Sequence, residues 1–118
     1  MNDYMYLSGK MSGIPEYNFP AFRRKAEELR RLGHKVWNPA EHNPKRCHTW
    51  ADFIRDDISV LNKRCNSIYM FGKWYRSHGA LVELLSAHRL GLRIEIEQWW
   101  LCWLAWLLNT TRNPFKGE

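Results

Sequence analysis

Apolar positions along the chain fall either in short continuous runs or at helical spacing, and the two patterns alternate. Tyr4 to Ser8 (YMYLS) is aromatic and apolar and stops at Gly9, which predicts a buried first strand. The loop GKMSGIPEYN follows. Asn18 can cap the next helix and Pro20 suits its first turn, after which Phe19, Phe22, Ala26 and Leu29 recur at helical spacing as far as Gly33. His34 to Asn38 (HKVWN) predicts a short second strand. Beyond the loop PAEHNPKRCH, Thr49 is a cap candidate with Asp52 three residues on, and Trp50, Phe53, Ile54, Ile58 and Leu61 give a second helix its apolar face. Ser67 to Phe71 (SIYMF) predicts a third strand. The loop GKWYR then leads to Ser77, a cap for a third helix that turns Leu81, Leu84 and Leu85 inward and ends at Gly91. Arg93 to Ile96 predicts a fourth strand.

The order βαβαβαβ implies a parallel sheet with right-handed crossovers, because the connections are helical and too long for hairpins. The expected architecture is α/β, a Rossmann/flavodoxin-like three-layer sandwich with strand order 2-1-3-4. The first helix then covers one face and the second and third the other, which leaves one face under-covered. The run Trp99 to Leu108 (WWLCWLAWLL) holds ten consecutive apolar residues, well short of the roughly 18 to 20 that span a bilayer. Its expected form is an extra apolar C-terminal helix beside the first helix, with its remaining apolar side used for self-association. Residues 1–98 thus form the α/β body and 99–118 a helix and tail of the same domain, and a homodimer or higher homo-oligomer is expected. Trp-rich faces suit membrane interfaces, but Lys and Arg are absent from this run, so no membrane partner is expected.

A chain of 118 residues fits one domain, and its apolar fraction of 45% and charged fraction of 25% exclude a disordered or repeat architecture. The net charge of +6 invites a nucleic-acid reading. The basic residues Arg23, Arg24, Lys25, Arg30 and Arg31 lie on one predicted helix, however, interrupted by Glu27 and Glu28 as on a solvated face. No stable nucleic-acid partner is expected, and the charge serves equally to attract anionic small molecules such as nucleotides. Cys47, Cys65 and Cys102 form no CxxC pair and the N-terminus has no signal-type pattern, which places the chain in a reducing cytoplasm. His42, Cys47 and His48 lack a fourth ligand and match no common zinc spacing, so neither metal nor cofactor is expected.

Open parallel sheets bind ligands beyond the carboxyl ends of their strands, near the switch in strand order. Here that edge carries the loops from Gly9 to Tyr17 and from Gly72 to Ser77. Gly9 and Gly13 allow backbone N–H groups to approach a phosphate, Lys10 and Ser12 add donors, and Ser77, His78 and Gly79 open a helix whose N-terminus attracts anions. The glycines read equally well as a turn that permits tight packing. Glu83 carries more information. Its helical neighbours Gly79, Ala80, Ser86 and Ala87 are all small, which suggests a carboxylate in a depression that a ligand could fill. Six residues, roughly 9 Å along the axis, separate it from Ser77, a span that suits a nucleotide with its phosphate at the cap and its sugar at the carboxylate. Nearness to the helix N-terminus would keep Glu83 ionised and favour a nucleophile. The plain alternative is an exposed Glu early in a helix.

Four separated segments, YLSGKMSGIPEYNFPAF, GHKVWNPAE, WADFIRDDISVLNKRCNSIYM and SHGALVELLSAHRLGL, resemble a small, often phage-encoded, DUF4406-like group placed near nucleoside 2-deoxyribosyltransferases and nucleotide N-glycosidases. The resemblance covers about residues 4 to 96 and leaves out the Trp-rich tail. It implies that the loop Gly9, Lys10, Met11, Ser12, Gly13 binds nucleotide or base, and that Asp57 orients the sugar. It also implies that Ser77 and Gly79 open the helix at phosphate or sugar, and that Glu83 attacks the anomeric carbon. Lys10 departs from the Pro or small residue usual there, which would add phosphate affinity, and Asn66 departs from an Asp, which puts a second acidic role at that strand in doubt. The implied chemistry is double displacement at C1′, with Asp57 as second carboxylate, aided by Tyr17 or His78; His78 reads equally as a solvated first-turn residue. Two other classes compete: a non-catalytic module that binds or sequesters a nucleotide, and an interaction protein whose Trp-rich tail is the functional surface.

Overall fold

A computed structural model gives the chain at residues 2–42 and 50–111, without the side chains of Trp50, Ala51 and Phe53. Four strands, β1 (Tyr4–Ser8), β2 (Val36–Trp37), β3 (Cys65–Met70) and β4 (Arg93–Ile96), alternate with helices α1 (Phe19–Arg31), α2 (Trp50–Arg64) and α3 (His78–Arg89). Helix α4 (Cys102–Thr111) follows β4. All strand pairs are parallel in the order β2-β1-β3-β4. The expected sheet is therefore present, with the bounds of two strands shifted. Among the described residues strand β2 has only β1 to pair with, through Met5 to Val36 and Tyr6 to Trp37, and it shrinks to two residues. Strand β3 begins at Cys65 because α2 runs straight into it at Arg64, with a register shift where Tyr4 and Met5 of β1 meet it.

Two apolar clusters sandwich the sheet. Tyr6, Ile68, Met70 and Ile94 meet Leu61 of α2 and Ala80, Leu84 and Ala87 of α3 on one side; Met5, Leu7, Val36 and Phe71 meet Phe22, Ala26 and Leu29 of α1 on the other. Leu85, expected inward, is exposed. Cys65 is buried, which pushes its thiol up to about 12 and leaves it a packing residue. The C-terminal helix departs from expectation. Leu101, Leu104 and Leu108 pack on the α2 and α3 side, against β4, and not beside α1. Asn109 fixes that position: its side chain accepts from the Ile94 N–H at 2.8 Å and donates to the Ile94 carbonyl at 2.9 Å, which satisfies backbone groups on the sheet edge. On the opposite face polar groups stand beside α1, where Lys25 bridges Glu97 at 2.7 Å and Glu28 at 3.1 Å.

Helix α3 opens as expected, with the Ser77 hydroxyl oxygen accepting from the Ala80 N–H at 3.1 Å. Helix α1 does not. Asn18 stands at the cap position with left-handed φ, and its side chain donates to the Lys10 carbonyl at 2.9 Å without capping the helix. Glu16, Tyr17 and Asn18 all have positive φ, of 55, 53 and 61°, a conformation that costs L-residues roughly 1–2 kcal/mol each. Thr49, the cap expected for α2, lies outside the described residues.

Gly9 answers the question its sequence left open. A Cβ there would stand 2.6 Å from Cε1 of Phe71, itself edge-to-face on Phe22, so the glycine is required for packing. Gly9→Ala is expected to lower stability by about 1–3 kcal/mol, from overpacking. Urea melts would read the loss, and Phe71→Leu in the same chain should recover much of it; a neutral Gly9→Ala would show that the aromatic ring is free to yield.

Candidate active site

Side chains alternate along a strand, so Tyr6 and Ser8 of β1 share the face that meets α2 and α3. Both hydroxyls are spent on one carboxylate. Tyr6 Oη donates to Glu83 Oε2 at 2.6 Å and Ser8 Oγ to Glu83 Oε1 at 2.8 Å. Asp57, from α2, stands within hydrogen-bonding reach of both Glu83 and Tyr6. Three elements thus meet in one polar knot at the carboxyl end of β1, beside the switch in strand order between β1 and β3. Glu83 is only 6% exposed. The small residues around it serve that burial: Ala80 and Ala87 are buried and let α3 approach the sheet, while Gly79 stands close to Ile54 of α2. They pack the helix down and do not open a depression over the carboxylate.

The protonation state departs from expectation as well. Burial, and then the neighbouring charge of Asp57, raise the Glu83 carboxyl well above the usual carboxylate range, against the opposing hydrogen bonds from Tyr6 and Ser8. Any pull toward ionisation from the start of α3 is outweighed. Asp57 is also raised, chiefly by burial, with hydrogen bonds from Glu83 and Tyr6 drawing it back. Two neighbouring carboxyls cannot both ionise cheaply, so the upward shifts of both favour one proton held between them. Burial and both carboxylates likewise hold the Tyr6 phenol well above its usual range, so it remains a donor.

The other sequence candidates form a rim and not part of the knot. Lys10 Nζ donates to the Arg76 carbonyl at 3.3 Å and so ties the loop after β1 to the loop before α3. Gly9 is buried, Met11 packs against the α1-side core, and Ser12 and Gly13 are exposed. Tyr17 is exposed on its left-handed turn, His78 is exposed in the first turn of α3, and Ser77 is the cap already described. Asn66 is exposed near the start of β3, at the opposite end of that strand from this edge. Of the residues considered for a metal, His42 stacks flat on Trp37 with ring centroids 3.9 Å apart, and Cys47 and His48 lie outside the described residues. Two surface hollows lie away from Glu83. One of about 300 Å³ is lined by Ile58, Leu85, Ser86, Arg89 and Leu90, and one of about 260 Å³ lies between Phe19, Arg23 and Glu27 of α1 and Asn38, Ala40 and Glu41.

Tyr6 and Ser8 are the residues that sequence reasoning missed. Their signal was the alternation Tyr4, Tyr6, Ser8 on one face of an otherwise apolar strand, since a hydroxyl on a buried strand must find a partner. Fold and site together define a parallel α/β protein with a buried Glu beside a half-buried Asp under the first strand's carboxyl end. A family described as a domain of unknown function, DUF4406, matches residues 3–96, and the chain belongs to it. The match ends where β4 ends, so α4 lies outside it. Comparison with curated proteins and with solved structures returns no match. No helix among the described residues is long and apolar enough to cross a membrane.

Proposed function

We propose that the chain is an N-glycosidase or 2-deoxyribosyltransferase acting on a nucleoside or nucleoside monophosphate, with Glu83 as nucleophile at C1′. The observation that carries this reading is a buried Glu83 with the half-buried Asp57 carboxyl beside it, at the edge of the sheet where open parallel sheets bind ligands. Such a pair supplies both a nucleophile and a proton. Asp57 stands beside Glu83 and acts as the acceptor of the proton that Glu83 sheds. Ionised Glu83 then forms an ester bond to C1′ as the C1′–N bond breaks. That bond's electron pair leaves with the base, which takes up the pair's proton. In the second step the oxygen of water, or a nitrogen of another base, attacks C1′, the Glu83 ester opens, and the proton of the incoming group returns to the pair. Tyr6 and Ser8 hold the Glu83 carboxylate in place. Lys10, the hydroxyl proton of Ser77 and the start of α3 offer a cationic rim for a 5′-phosphate. The resemblance to nucleoside 2-deoxyribosyltransferases supports the sugar and the reaction type.

The test is incubation of the chain with a panel of deoxynucleosides, ribonucleosides and their monophosphates, with released base read by chromatography. One substrate should release base, and acid quenching should leave one glycosyl group on the peptide that holds Glu83. A second reading, a module that binds a nucleotide without turnover, is favoured by the resting state of Glu83, protonated and engaged at both oxygens. Calorimetry that finds tight binding of a nucleotide recovered intact after hours would select it.

A further inference from the structure

The segment beyond the family match, a 3-10 turn at Trp99–Leu101 that runs into α4, is divided lengthwise. Leu101, Leu104 and Leu108 face the core, while Trp99, Trp103 and Trp106 on the opposite side are 82%, 59% and 67% exposed, with Trp100 at 54% and Leu107 at 44% beside them. Spacings of three and four residues make these side chains one continuous stripe. The helix is not free to roll the stripe inward. Asn109 is bonded twice to the Ile94 backbone, and the Thr111 hydroxyl pairs with His88 at 2.9 Å.

We propose that this face is a self-association surface, covered by the same face of a second copy about a two-fold axis. Area is the first argument. A Trp side chain offers roughly 150–250 Å², so the four exposed Trp residues present on the order of 500–600 Å². That is at the upper limit for a patch on a monomer, and with Leu107 it approaches the roughly 600–1,000 Å² that each partner gives to a stable interface. Charge is the second. Residues 99–111 include no Asp, Glu, Lys or Arg, so two such faces meet without desolvating a charge. A lipid surface is the weaker match, because interfacial helices carry Lys and Arg along the polar face beside the apolar one, and residues 99–111 carry none. Trp is also the residue type richest in interface hot spots.

Light scattering and sedimentation of the full chain at tens of micromolar should give twice its 14.2 kDa mass. Trp103→Glu with Trp106→Glu, both outward-facing, should give the single mass, with dissociation at least about a hundredfold more favourable and an unchanged circular dichroism spectrum. As a measurement independent of that variant's folding, dilution of the unaltered chain is the second: acrylamide quenching of Trp emission should rise as the mass falls from double to single. A single mass at every concentration, a double mass retained by the folded variant, or quenching indifferent to dilution would each overturn the proposal. So would binding of the unaltered chain to phosphatidylcholine or phosphatidylglycerol vesicles in place of dimer formation.

Discussion

Glu83→Gln is expected to lower base release by at least about a thousandfold while changing stability, compared near pH 5 where the unaltered pair still holds its proton, by no more than about 1 kcal/mol. The two effects separate because of the resting protonation state. A protonated carboxyl and a carboxamide have nearly the same shape, and each presents one acceptor oxygen and a donor. Gln at this position can still donate to Asp57, accept from one of the Tyr6 and Ser8 hydroxyls, and donate to the other. Its nitrogen cannot become a nucleophilic carboxylate. Glu83→Ala is the informative contrast. It strands two buried hydroxyls and the Asp57 carboxylate and is expected to cost about 2–4 kcal/mol, so lost activity there would confound chemistry with folding. Urea melts and base-release rates on both variants separate the two. A Gln variant as active as the unaltered chain would remove Glu83 from the reaction, and one as unstable as the Ala variant would show that the resident form is the ionised one.

How much of this was legible in the chain depended on whether a property was local. The run YMYLS and its stop at Gly9 specified β1, the spacing of Phe22, Ala26 and Leu29 specified α1, and the alternation of the two patterns specified the sheet order, because crossover handedness leaves few alternatives. Asp57 and Glu83 were legible as types at motif positions. Their contact was not, since it joins α2 to α3 and depends on how closely Ala80 and Ala87 let α3 settle. The charge state of Glu83 was misread for the same reason. A local rule about helix N-termini was applied to a group whose surroundings are set by residues 26 and more than 70 positions away. The side of the sheet taken by α4 was likewise non-local. Ten apolar residues announce a buried stripe, but the hydrogen bonds of Asn109 to Ile94 place it.

Stability should fall as pH rises above about 5, the reverse of the trend set by ordinary paired carboxylates. Glu83 and Asp57 are both raised by burial from their reference values of 4.5 and 3.8, so the native chain keeps a proton that the unfolded chain has already released. A group of this kind contributes its full share below its unfolded value. The contribution declines as pH rises, by up to about 1.4 kcal/mol per pH unit for one proton, until the folded pair itself lets go. Asp3, Glu41 and Glu97 are held below their usual range by Lys35, Arg30 and Lys25, and so act in the opposite sense. Their pairings are lost only under more acidic conditions, near or below their unfolded values, which leaves the window above about pH 5 to the buried pair. Of the titratable groups packed against Glu83, Asp57, with Asp56 beside it on α2, adds negative charge that favours the proton, whereas Tyr6 on β1 donates to Glu83 and opposes it without outweighing burial. Urea melts at a series of pH values should therefore show a downward slope that Glu83→Gln flattens, since the amide has no proton to lose. A flat profile in the unaltered chain, or an equal slope in the Gln variant, would mean that the proton is not held by this pair, and the account of its chemistry would have to begin from two ionised carboxylates.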